Sequence, residues 1–194
     1  MQKEEPNKII DTEIEHRIID TEVVELVKEV PADSVLKRIV PAHNKKSRDA
    51  VESDVEKIVE EVGVLHAICF EQNGRYKGAY AMHHSQIESE DPINFFVTWD
   101  RMIIINPVVL RHSNYTKDSK EACMSFPTQE ETIIQRWQKM DVEYTTIMSD
   151  PDNEGKFKLS SRQIESLSGP TAFIYQHEIS HGNGILIYPI NEEK

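Results

Sequence analysis

The pentapeptide HEISH at 177–181 constrains this chain more than any other feature. Histidines four apart on a helix stand one turn apart on the same face, so His177 and His181 can share one metal ion. Glu178 follows the first of them and can reach a water on that ion as general base. The flanks make GPTAFIYQHEISHGNG (169–184) a helix: Pro170 suits a first turn, and Gly182 and Gly184 suit an end. Phe173 and Ile174 give the helix an apolar face before His177, which turns these polar groups toward the interior. Buried imidazoles and a buried carboxylate need partners, and a metal supplies them. A solvated helix with two histidines is the competing account of the pentapeptide alone.

A catalytic metal needs a third protein donor and an open position for water. Residues 182–194 contain no histidine, and their only acids are Glu192 and Glu193. The third donor is therefore expected upstream. Cys123, in EACMSFP (121–127), is the best candidate, because a thiolate binds borderline and soft divalent ions well. Standing alone, Cys123 reads first as a small buried hydrophobe.

A chain of 194 residues is one domain, with room for an added arm and for a core that needs no disulfide staples. Its net charge of −12 disfavours contact with nucleic acid, so no direct nucleic-acid partner is expected. Cys69 and Cys123 form no secreted disulfide framework, and a thiolate ligand fits a reducing cytoplasm, the host's if the chain is viral. The N-terminal MQKEEPNKIIDTE lacks an apolar leader core, and no run approaches the ~18 apolar residues that span a bilayer, so no membrane partner is expected.

Residues 1–33 are charged and echo IIDTE at 9–13 and 18–22, too short for a repeat architecture. They read as an extension, partly ordered at best, ahead of a catalytic domain at 34–194. Val51, Val55, Ile58, Val59 and Val62 lie on one helical face, which predicts a helix over 47–62 started by Ser47 or Asp49 and stopped by Gly63. Beyond it, VLHAICF (64–70), RYKGAYAMHH (75–84), FFVTWDRMIIINP (95–107) and VEYTTIM (142–148) read as β-prone, the third as one or two strands ending at Pro107. PDNEGK (151–156) is a hairpin-like turn and FKLSSRQIESL (157–167) a further strand or loop. His83 and His84 are adjacent on a strand, point to opposite faces, and read as surface. The fold class is α+β: mostly antiparallel sheets packed around a central metal-binding HExxH helix, with an N-terminal helix.

These segments resemble those of the peptide deformylase family. EACMSFP is similar to the family's EGCLS segment, and QHEISHGNGILI (176–187) to its QHExDHLxGxLF segment. AICFEQNG (67–74) resembles GLAAPQxG, with Gln72 and Gly74 on its Gln and last Gly. IINPVVL (104–110) resembles FINPxI, and SVLKRIVPA (34–42) resembles VLRxxAxPV. The resemblance runs from about Ser34 to Ile190, and the pairing of EACMS with QHEISH is its specific part. Departures fall at Ala67, Phe70 and Glu71 in the first motif, Ala122 and Met124 in the second, and Ser180 and Gly182 in the third.

The resemblance implies removal of the formyl group from formyl-methionyl peptides of nascent chains, with the ribosome as a candidate partner. It implies one divalent metal, Fe2+ in the cell with Zn2+, Ni2+ or Co2+ able to substitute, on Cys123, His177 and His181. It gives Glu178 the proton transfers and gives the Gln72 side chain and Met124 N–H the oxyanion. Glu121 pairs with a cation, Arg136 being the best guess. Phe173 and Ile174 border the methionine pocket, and His66, Ala67 and Ala122 line the substrate groove. Two alternatives stay open: a catalytically impaired peptide-binding relative, motivated by bulk in the first motif, and another HExxH amidase or protease.

Overall fold

A computed structural model describes residues 39–40, 45–70, 79–126 and 129–188. The extension at 1–33, Gln72 and most of the 34–42 run lie outside them. The elements are helix α1 (Val55–Phe70), strands β1 (Ala81–His83), β2 (Phe95–Thr98), β3 (Ile103–His112), β4 (Thr116–Glu121), β5 (Thr132–Trp137), β6 (Lys139–Thr145), β7 (Ile147–Ser149), β8 (Phe157–Leu159) and β9 (Gln163–Ser168), and helix α2 (Gly169–Gly182). An antiparallel sheet runs in the order β1-β2-β3-β6-β9, and β4-β5 and β7-β8 form two-stranded ribbons. The architecture is the expected α+β one, with the HEISH helix at its centre.

Period-two alternation sorts the sheet's side chains between two cores. Phe95, Val97, Ile103 and Ile105 pack with Ile58, Leu65 and Ile68 of α1. Phe96, Ile104 and Val142 pack with Ala172 and Tyr175 of α2. The sheet is thus buried between the two helices where β1, β2 and β3 meet.

α1 differs from its expected bounds at both ends. A 3-10 turn at Glu52–Asp54 leads into it, and Asp54 Oδ2 accepts the Val51 N–H at 2.8 Å. Neither Ser47 nor Asp49 caps the start. The helix also runs through Gly63 to Phe70. Val62, Leu65, Ile68 and Cys69 continue the buried stripe of Val55 and Ile58, so the β-prone run VLHAICF is the deep end of a helix. Arg48 grips Asp54 through two hydrogen bonds of 2.7 Å. Those bonds, against the opposing cost of burial, hold the Asp54 carboxyl down at about 2. Its folded-state pKa lies below the unfolded value, so its stabilisation is present above about 4 and is lost as pH falls toward 2. Asp54→Asn, which removes the charge that Arg48 pairs with, is expected to lower stability by about 1 kcal/mol at pH 7. Urea unfolding at a series of pH values should show that gap closing between pH 4 and pH 2.

β3 does not end at Pro107 but continues to His112, with Asn106 at φ 51° where the register with β6 shifts. His83 and His84 are not surface residues; both are fully buried. They do diverge, because His83 ends β1 and His84 opens the 3-10 turn after it, and both sides are covered. The His84 ring stacks on Phe95 at 4.8 Å in the α1 core, while His83 approaches the end of α2.

Candidate metal centre

α2 is fixed at both ends, the Gly169 N–H donating to the Gln138 carbonyl and the Gly182 carbonyl accepting the Ser47 N–H, each at 2.9 Å. Pro170 sits in the first turn, where its missing N–H costs nothing. Midway, Gln176 ties the helix to β5: its Oε1 accepts the Trp137 N–H and its Nε2 donates to the Trp137 carbonyl, each at 2.9 Å. This turns His177, Glu178 and His181 toward β1 and the loop that follows β4.

That loop carries Cys123, held in a turn in which the Phe126 N–H donates to the Cys123 carbonyl. Cys123 Sγ lies 3.3 Å from His181 Nε2, which lies 3.2 Å from His177 Nε2. The three donor atoms fall within 4.8 Å of one another, and no fourth Cys, His, Asp or Glu joins the group among the described residues. One sulfur and two imidazole nitrogens in a buried cluster suit a divalent ion and leave a position open.

Three observations support the fit. First, the cluster attracts positive charge even without an ion: burial opposes protonation of His177, yet its hydrogen bonds to Cys123 and Glu121 push it up to about 10. A cation would take the place of that proton. Second, the outer nitrogen of His177 is fixed. His177 Nδ1 lies 2.9 Å from Glu121 Oε2, which leaves Nε2 aimed at the cluster. Third, Glu178 is 3% exposed, and its Oε2 has no hydrogen-bond partner among the described residues. A buried polar atom in that state is suited to a water or ligand inside the site. Burial pushes the Glu178 carboxyl up to about 7, His177 and Arg136 opposing and Glu121 assisting.

Glu121 is itself clamped by Arg136, whose Nε and Nη2 each donate at 2.8 Å to one carboxylate oxygen. Burial favours the neutral acid, but Arg136 and His177 outweigh it and hold Glu121 at about 2. Arg136 Nη1 also donates to Ser180 Oγ at 3.3 Å. Arg136, Glu121, His177 and Cys123 thus form one connected buried network.

A further polar group meets Cys123, and the sequence reading missed it. Gln86, buried in the 3-10 turn after β1, has Nε2 3.5 Å from Cys123 Sγ and 3.4 Å from Ser125 Oγ. Its Oε1 accepts the His83 N–H at 2.8 Å. Gln72, expected in such a place, lies outside the described residues. The available signal was AMHHSQ (81–86), which ends on a glutamine as GLAAPQ does.

The other expected residues are spread around the site. Ala67 is half-buried on α1, in contact with the α1 core, and Met124 reaches the same core from the cysteine loop. His66 is buried on α1, and burial pushes its imidazole down to about 4, so it is neutral. Phe173 and Ile174 pack against the α2 core. Ala122 is exposed beside Cys123.

Comparison with known proteins agrees with this geometry. The polypeptide deformylase family matches residues 26–193. The peptide deformylase of Brachyspira hyodysenteriae is 32% identical over 85 residues, covering 44% of this chain and 39% of that protein. That of Thermotoga neapolitana is 34% identical over 84 residues, covering 43% and 44%. The matched stretch thus spans about two fifths of the length of these curated relatives. Among solved structures, the peptide deformylase of Thermotoga maritima aligns with a TM-score of 0.58 at 25% identity, over 82% of this chain and 92% of that one. The Synechococcus elongatus enzyme in complex with actinonin aligns with a TM-score of 0.59 at 17% identity, over 76% and 74%, and speaks for the fold alone. With the family match spanning most of its length, the chain belongs to the polypeptide deformylase family.

Proposed function

We propose that this chain removes the N-formyl group from formyl-methionyl peptides, releasing formate. The observation that carries the reading is the buried Glu178 carboxylate beside the Cys123–His177–His181 cluster. Cys123, His177 and His181 would hold one divalent metal, Fe2+ in the cell. When bound, such an ion polarises a carbonyl and lowers the pKa of water toward ~7.

The chain's own groups do the rest. Glu178, held near 7 by burial, accepts a proton from the attacking water and returns it to the leaving amine. The Gln86 amide, oriented through its Oε1 by the His83 N–H, has an Nε2–H to offer the developing oxyanion, and the Met124 N–H is the second candidate donor. Glu121, itself fixed by Arg136, keeps the proton of His177 on Nδ1. Phe173 and Ile174 are the candidates for the methionine pocket, with His66, Ala67 and Ala122 around the groove. The nascent chain is the expected substrate and the ribosome a candidate partner.

The direct test is formate release from formyl-Met-Ala-Ser by iron- or nickel-loaded protein. Turnover is expected; its absence after anaerobic loading would leave a peptide-binding relative, and cleavage of internal peptide bonds would indicate a protease. The same assay distinguishes the two glutamines. Gln86→Ala should lower kcat by about 10²–10³, the usual cost of one oxyanion donor. Gln72→Ala should stay near wild type, and the reverse ranking would return the role to Gln72.

A further inference from the structure

β1 and its flanks carry polar groups that the mechanism above leaves unused. His83 Nδ1 accepts the Ser85 N–H at 3.0 Å, which puts the ring proton on Nε2, 3.5 Å from Asn94 Oδ1. Asn94 is tied down in turn. Its N–H donates to the Arg48 carbonyl at 2.7 Å, its carbonyl accepts the Asn106 N–H at 2.9 Å, and its Nδ2 donates to Asp49 Oδ1 at 3.3 Å. The strand-like stretch so held reaches the end of α2, where the Ser47 N–H donates to the Gly182 carbonyl at 2.9 Å.

These contacts converge on the residue after His181. A Cβ on Gly182 would stand 2.6 Å from Asn94 Oδ1 and 3.0 Å from His83 Nε2, the first closer than real Cβ atoms come. Gly182 does not adopt a left-handed conformation, so the position uses its missing side chain and not its backbone freedom. The backbone of the same His83 faces the chemistry. Its N–H donates to Gln86 Oε1 at 2.8 Å. One residue therefore touches Gln86 and the end of the helix that carries Glu178 and His181.

We propose that the His83–Asn94 pair is a positioning element. Seated against the bare Cα of Gly182, it sets the spacing between α2, with His177, Glu178 and His181, and the β1 turn, with Gln86. This rests on the reading that Cys123, His177 and His181 hold a divalent ion.

Co2+ titration of the purified protein tests it without substrate, because a thiolate on Co2+ gives its own charge-transfer absorption. Gly182→Ala is expected to weaken Co2+ binding on the order of tenfold and to shift that absorption, as disturbed ligand orientation does. Asn94→Ala removes the obstructing amide, so in its background Gly182→Ala should cost far less. Simple additivity of the two changes overturns the proposal. So does a Gly182→Ala protein that is less stable in urea yet binds Co2+ with unchanged affinity and spectrum, since that is packing alone. Where Gly182→Ala does not fold, the double variant decides: recovery of folded, Co2+-binding protein supports the proposal, and continued failure overturns it. A wild-type protein without a thiolate band overturns the metal reading itself, and the inference with it.

Discussion

Glu178→Gln is expected to lower formate release by about 10²–10⁴ while leaving the bound metal in place. The substitution keeps the size and shape of the side chain and removes its capacity to take a proton. Glu178 is not among the three clustered donors, so metal content should match wild type. The buried site makes the loss large. Burial pushes the carboxyl up from its ordinary range, which favours its holding a proton between transfers, and bulk water is kept from substituting for it. Steady-state kinetics on metal-loaded protein, beside metal analysis, checks both halves. A variant that retains most of its kcat would remove Glu178 from the reaction. A variant that loses its metal would make the residue a structural support of the cluster.

How far this centre could be read in the sequence depended on which physics fixed each residue. HEISH was legible because helical spacing alone brings His177 and His181 together. Cys123 was legible in two steps: residues 182–194 offer no third donor outside the terminal acids, which points upstream, and the resemblance of EACMSFP to the deformylase segment singles out this cysteine. Gln86 was hidden because it sits in a one-turn 3-10 helix, where no periodicity marks it. VLHAICF misled because a helix end buried on most sides presents the same apolar run as an inner strand. β4, TKDSKE, escaped notice because it pairs only with β5 in a largely exposed ribbon and needs no apolar face. His83 and His84 read as surface because one face of an edge strand is often wet. Here the α1 core covers one face and the end of α2 the other.

Arg136→Leu is expected to cost about 3–5 kcal/mol of stability, the usual consequence of leaving one member of a buried ion pair alone. Arg136 and Glu121 are 10% and 8% exposed at their side chains, and the pair is bidentate, so little solvent is available to screen the stranded carboxylate. Replacing both, as Glu121→Gln with Arg136→Met, should cost less than Arg136→Leu alone, because no charge is then left buried. The sign of the pH effect follows from Glu121. Its folded-state pKa of about 2 lies below the ordinary 4.5, so the pair's contribution is present above about 4.5 and is lost as pH falls toward 2. The gap between wild type and Arg136→Leu in urea unfolding should therefore be widest near neutrality and shrink in acid. The same variant should weaken metal binding by about 10–100-fold, because Glu121 is the group that orients His177. Loss of stability with unchanged metal affinity would confine Arg136 to a structural role. Loss of affinity at full stability would mean that the pair serves His177 alone.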